Sequence, residues 1–244
     1  MKHLALYHHS RVTPGKKHGT HRLGDKVHTM FCAYQYGVHH GEPVTMHLSS
    51  KLAYTDMMKQ WNEILDLFPK DSVELKIWDD MGICTDEEII EFLKLKGIES
   101  PNVYFYEDAK EEDIDITYYL KNKQLVPPID VEVDLPPQKF ITMQWDSPDP
   151  SRRMPEDFIQ RLVSYYQRTG YDLIEIGKDQ SLAQISQYLS KAEMHVGVHS
   201  GMLHMAQMYM PHKKIHIYSQ IGAQDHVKRF QGFGSKVNPL LGLV

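Results

Sequence analysis

From Lys139 to Ser219 the chain alternates strand-like apolar runs with amphipathic, helix-like ones, and no other feature constrains its fold as tightly. The strand-like runs are "KFITMQWD", "YDLIEIG", "MHVGVH" and "KKIHIYS"; between them lie residues 155 to 169, "LAQISQYLSKA" and "GMLHMAQMY". Strands that alternate with helices pair in parallel, because each helix carries the chain back to the same edge of the sheet. The expectation is a doubly wound parallel sheet. Pro155 is placed at the first helical position, Glu156 and Asp157 in the first turn, and Gly170 just past the end, all of which suit the free backbone groups of a helix terminus.

The first half is less regular. "HLALYHH" reads as a strand leading into a basic, glycine-containing loop, "SRVTPGKKHGTHRLGD", the form of a ligand-binding strand-to-helix connection. Val27, Met30, Phe31 and Tyr34 then recur at helical spacing, which predicts a helix over residues 26 to 36 with Asp25 as its N-cap and Gly37 as its stop. "PVTMHLSS", "VELKIWD" and "NVYFYE" read as strands, with a helix over residues 86 to 96 between the last two. "LVPPIDVEVDLPPQ" holds two proline pairs and reads as an extended connector, so the expected domains are 1–135 and 136–244.

At 244 residues, with 41% hydrophobic and 24% charged residues, the composition is that of a globular protein with a sizeable core. The net charge of −5 offers no general attraction for nucleic acid, so any phosphate recognition must be local. With only Cys32 and Cys84, no signal peptide and no transmembrane segment, the expected compartment is the cytoplasm.

"HVGVHSGMLHMAQMY" carries the chemistry. If "MHVGVH" is a strand, His195 and His199 do not share a helical face, and no carboxylate or cysteine nearby completes a metal site, so none is expected. A phosphate site is open instead: a helix beginning after Ser200 offers unpaired N–H groups, Gly201 admits a ligand to the backbone, and the Ser200 hydroxyl can donate. The plainer alternative is that Ser200 caps the helix while Met202, Leu203, Ala206 and Tyr209 pack inward.

Three stretches resemble, in order, the family 9 glycosyltransferases, the ADP-heptose:lipopolysaccharide heptosyltransferases. "HRLGDKVHTM" is similar to their Gly-Asp-x-x-x-Thr motif, "FITMQWDSPDPSRRMPEDFIQRL" to their strand, basic element and helix, and "HSGMLH" to their Asp-Ser/Thr-Gly-x-x-His signature. The resemblance covers the N-terminal motif and most of residues 139 to 222. It implies an α/β, GT-B-like fold of two Rossmann-like domains facing a cleft, the N-terminal one on the acceptor side and the C-terminal one binding nucleotide-sugar. It implies inverting, metal-independent transfer from a nucleotide-sugar donor to a glycan or glycolipid acceptor, with no cofactor. Asp25 falls on the general base, with Gly24 and Arg22 on the acceptor or phosphate side. Arg152, with Arg153 beside it, Ser200, Gly201, Met202 and His204 fall on the donor diphosphate, and His199 on the donor sugar. Lys16, Lys17 and His18 have no assigned contact. His199 stands where the family has an acidic residue, Phe31 where it has proline, and Met154 where it has tryptophan. A non-catalytic nucleotide-sugar-binding protein on the same fold, or a His-ligated metal hydrolase, are the other readings.

Overall fold

The structure, a computed structural model, describes residues 1–7, 23–49, 55–81, 86–99, 101–105, 120–147, 150–177, 179–220 and 230–240. The chain divides into two compact units, Met1–Gln124 and Leu125–Val244.

In the first unit, β1 (Lys2–Tyr7), β2 (Val44–Ser49), β3 (Val73–Trp78) and β4 (Pro101–Phe105) form a sheet of order β3-β2-β1-β4 in which every described pair is parallel. Crossovers between parallel strands need helices, and α1 (Leu23–His40), α2 (Thr55–Leu65) and α3 (Asp86–Leu95) supply them. Val27, Met30, Phe31 and Tyr34 are buried on α1, as their spacing predicts, and Trp61 and Ile64 of α2 are buried too. Helix α2 was not expected from the sequence, whose short apolar set there breaks off at Pro69.

Helix α1 is longer than its expected span at both ends. It begins at Leu23, so Asp25 lies in its first turn and is not its N-cap. It also runs through Gly37, where a Cβ would sit 2.7 Å from the Glu42 carbonyl and 2.9 Å from Val44 Cγ2. That glycine permits helix–strand contact. The stop is Gly41, at φ +65°, with Glu42 N–H donating to Gly37 O (3.1 Å) and Gly41 N–H to Val38 O (3.2 Å). These two bonds close a left-handed C-cap.

The second unit holds β5 (Phe140–Gln144), β6 (Asp172–Glu175), β7 (His195–Gly197), β8 (Ile215–Gln220) and β9 (Lys236–Leu240), in order β6-β5-β7-β8-β9 and wholly parallel. Its helices include α4 (Glu156–Arg168), α5 (Leu182–Lys191) and α6 (Gly201–Tyr209). Pro155 is the N-cap of α4 and not its first residue, a one-position shift that leaves the proline's missing N–H equally harmless. Ile141, Met143 and Val196 pack with Leu162 and Tyr166 of α4. By strand alternation Thr142, Gln144 and His195 occupy the opposite face, and all three are buried. Strand β9 was not expected.

The proline-bracketed connector belongs to the second unit. Val126 N–H donates to Met208 O (2.8 Å) and Gln187 Nε2 to Ile129 O (2.5 Å). Ile129, Val131, Val133 and Leu135 are half-buried while Asp130, Glu132 and Asp134 are exposed, the two-residue alternation of an extended segment lying on a surface. The division therefore falls at 124/125, ahead of the expected 135/136. Among the described residues no helix is long and apolar enough to cross a membrane.

Two histidines are buried inside the sheets. His47 accepts from Trp78 Nε1 at Nδ1 (3.0 Å) and presents Nε2 to His3 Nδ1 (3.1 Å); His195 Nδ1 lies 3.1 Å from Thr142 Oγ1. Burial is the main cause that lowers His47 to about 4, with His3 and Lys76 adding, and His195 to about 3, with His216 adding. Two expectations follow for stability. Gly37→Val should cost about 1–3 kcal/mol through overpacking against Glu42 and Val44, read from urea unfolding. The two histidines stay neutral when folded but take a proton below pH 6.5 when unfolded. Their contribution is complete above pH 6.5 and is lost as pH falls toward 4 and 3. The slope is at most about 1.4 kcal/mol per pH unit for each. His195→Gln should flatten the fall in unfolding free energy between pH 6.5 and 4.5.

Candidate functional site

In doubly wound sheets ligands bind outside the carboxyl ends of the strands, where the winding direction reverses. From β5 the second unit winds through α4 to β6 on one side, then through α5 to β7 on the other, so the reversal lies between β5 and β7. The two strands are tightly joined there. Val198 N–H donates to Gln144 O (3.1 Å), and a Cβ on Gly197 would stand 2.9 Å from both Gln144 O and His195 Nε2.

Beyond β7 the chain passes His199 and Ser200 and enters α6. Ser200 is the N-cap residue, at φ −151° and ψ 179°, yet its side chain makes no capping bond. Its Oγ donates to Gln144 Oε1 at 2.6 Å, while Gln144 Nε2 donates to the Asp146 carbonyl. The alternative in which the Ser200 side chain caps the helix is thereby set aside. Helix α5 makes the contrast within the same unit: Gln184 N–H donates to Ser181 Oγ (3.2 Å) and Ser181 N–H to Gln184 Oε1 (2.9 Å), a complete capping box. The first-turn N–H groups of α6 have no intrahelical partners and carry the positive end of the helix dipole.

Gly201 opens α6 and Met202 is buried, so Met202 can offer an anion only its backbone N–H. The ring of buried His204 lies 5.7 Å from that of His199 and 5.6 Å from that of Phe230, and His199 lies 6.2 Å from Phe230. An aromatic patch thus adjoins the start of α6. His195 is not part of it: its fully buried, neutral ring lies deeper along β7. Among the described residues no three His, Cys, Asp or Glu side chains gather as a metal-ligand group.

Arg152 ends a 3-10 turn, Pro150–Arg152, in the connection after β5, and is half-buried. Arg153 beside it is engaged: its Nε donates to Ser147 O (2.8 Å) and pairs with Asp146 Oδ1 (3.1 Å), closing that connection on itself. Met154 is buried against Val198 and Trp145, which explains an apolar side chain at that position. The structure thus brings His199, Ser200, Gly201, Met202 and His204 together at the start of α6 and sets Arg152 in the connection after the neighbouring strand. Gln144 was not singled out from the sequence. Its signal is the pair Thr142 and Gln144, polar residues on the alternate positions of an otherwise apolar, fully buried strand.

Gly24 and Asp25 belong to the first unit, in the first turn of α1, where a carboxylate suits the helix dipole. Lys26, next to Asp25, is fully buried; its Nζ donates to Gln60 Oε1 (2.5 Å) and stands 5.9 Å from the Trp61 ring centre. Burial lowers its ammonium and the Asp25 charge opposes that shift. Arg22, Lys16, Lys17 and His18 lie outside the described residues.

No protein-family model and no curated protein matches the sequence. Solved structures do match in fold. E. coli ADP-heptose LPS heptosyltransferase II is 12% identical, with a TM-score of 0.53 over 98% of this chain and 90% of that one. A family 9 glycosyltransferase from Veillonella parvula is 12% identical, with a TM-score of 0.51 over 98% of this chain and 85% of that one. TibC of enterotoxigenic E. coli, an iron-containing dodecameric glycosyltransferase, is 11% identical, with a TM-score of 0.50 over 89% of this chain. A second TibC structure holds ADP-D-beta-D-heptose. The chain spans 57% of the length of TibC. The two parallel α/β units are those of a GT-B fold, the fold of heptosyltransferases and of a family 9 glycosyltransferase.

Proposed function

We propose that the chain is a glycosyltransferase that moves a sugar from a nucleoside-diphosphate sugar to a hydroxyl acceptor, a glycan or glycolipid, in the cytoplasm. The observation that carries this reading is the start of α6: a helix N-terminus at the point where the winding reverses, left uncapped by its own serine. Such a terminus favours a diphosphate. Arg152 follows the adjacent strand and supplies a full positive charge whose strength toward phosphate exceeds that of a neutral donor. In this reading the leaving diphosphate is neutralised by helix amides and arginine, without a catalytic metal. The His199, His204 and Phe230 rings cluster with one another near the start of α6, and this reading assigns them to the donor.

Asp25 takes the role of base in the first unit, removing the proton of the acceptor hydroxyl as it attacks the anomeric carbon. Its position inside α1 favours this role over capping, since the N-cap position lies outside the helix. Inversion at the anomeric carbon follows from a single displacement. His199 supports a second reading, nucleotide-sugar binding without turnover, because an imidazole stands where the resembling family carries a carboxylate.

Turnover and donor binding separate the two readings. Asp25→Asn should lower turnover by at least about 10²-fold, the usual worth of a placed base, and leave calorimetric donor affinity nearly unchanged. Arg152→Ala should raise donor KM and lower kcat together, by about 1.5–3 kcal/mol in kcat/KM. Because TibC contains iron, chelation is informative here: activity should survive EDTA, and loss restored by a divalent cation would overturn the metal-free reading. Binding of a nucleoside-diphosphate sugar with no transfer or hydrolysis would establish the second reading.

A further inference from the structure

We infer that Gln144 is a positioning residue for the donor site: by accepting the Ser200 hydroxyl proton it holds Ser200 away from the helix cap and keeps the first-turn amides of α6 available to the diphosphate. The inference rests on the donor site proposed above. Its geometry is defined at both ends of the amide. Gln144 Nε2 donates to the Asp146 carbonyl, which turns Oε1 toward Ser200, and Ser200 Oγ donates to that oxygen at 2.6 Å. The Gln144 residue is buried, 8% exposed, at the end of a strand whose other residues are also buried, so the amide has little freedom to rotate.

A serine at an N-cap with extended backbone ordinarily accepts from the N–H of the second or third helical residue, here Met202 and Leu203. Ser181 does so on α5 in the same unit. Ser200 has the extended backbone that capping requires, φ −151° and ψ 179°, but its hydroxyl is turned to Gln144. The hydroxyl hydrogen is therefore spent on Gln144, and Ser200 contributes to the diphosphate by leaving the amides open and not as a donor. Removing the Gln144 oxygen frees Ser200 to cap α6 in competition with the ligand.

The test uses Gln144→Met, which keeps length and volume, alone and with Ser200→Gly. In the ligand-free protein, amide hydrogen exchange at Met202 and Leu203 should slow in Q144M, and the slowing should vanish in Q144M/S200G, because glycine has no hydroxyl to cap with. With ADP and UDP as calorimetric probes, Q144M should weaken binding ~5-fold, the factor that an N-cap bond is worth. In the S200G background Q144M should cost nothing further. A merely structural glutamine would instead speed exchange across α6 and weaken binding equally in both backgrounds, and either result overturns the inference. Unchanged exchange at both amides does so too, whether or not a nucleotide binds. Slowed exchange in a protein that binds neither nucleotide sustains the link between Gln144 and Ser200 but removes its role in ligand binding, and removes the proposed function with it.

Discussion

The close pairing of β5 with β7 is the contact on which the second unit depends. Thr142 lies opposite His195 and Gln144 opposite Gly197, and no side chain larger than hydrogen fits at residue 197, because Gln144 O and His195 Nε2 already occupy the space. Three consequences share that cause. The His195 ring lies over the glycine, and its burial, with His216 adding, keeps it neutral. Strand β7 ends immediately, with Val198 still bonded to Gln144 O. Ser200 then comes within reach of the Gln144 side chain, which decides where its hydroxyl points. Packing, protonation and the state of the α6 terminus are one problem in this part of the molecule.

Much of the second unit was legible because its strands are short, apolar and separated by marked helix ends. The helix after Pro155 and the one after Ser181 begin and end within about a residue of expectation, which is ordinary boundary uncertainty. In the first unit Gly37 misled. A glycine near the end of an apolar period usually marks a helix stop, but here it serves the close approach of α1 to Glu42 and to Val44 of β2, a tertiary demand with no local sign. Helix α2 went unseen for a related reason, since Trp61 and Ile64 are apolar anchors within a largely polar stretch. The order of strands was not legible at all, because parallel pairing is set by contacts between residues far apart in the chain.

At the candidate site the strand, turn and helix start around "HSGMLH" were legible, but the hydrogen bonding there was not. Ser200 has the sequence context of a cap, and only the position of Gln144, far away in the chain, shows that it does not act as one. Asp25 shows the reverse error: it has the residue type of a cap but falls inside the helix because α1 starts earlier than its apolar period. The connector was similarly deceptive. Its prolines forbid helix, as read, but its alternating Ile129, Val131, Val133 and Leu135 seat it on the second unit, so composition located a chain segment and not a boundary.

The turns at the two edges of each sheet are unequal. Three helices return to strands through brief connections, residues 41–43, 169–171 and 192–194, where the geometry of the cap leaves few choices of residue, while α2 returns to β3 through the longer stretch 66–72. Several strands lead into helices through longer stretches, residues 8–22, 79–85 and 145–155, whereas β7 reaches α6 through residues 198–200 alone. The longest of these connections all run from strand to helix, so most of the room for change that leaves the strands in place lies along one edge. A protein built this way can change its vocabulary along one rim while its chain path persists. That arrangement suits a chain that shares its fold with solved structures although only 12% of aligned residues agree.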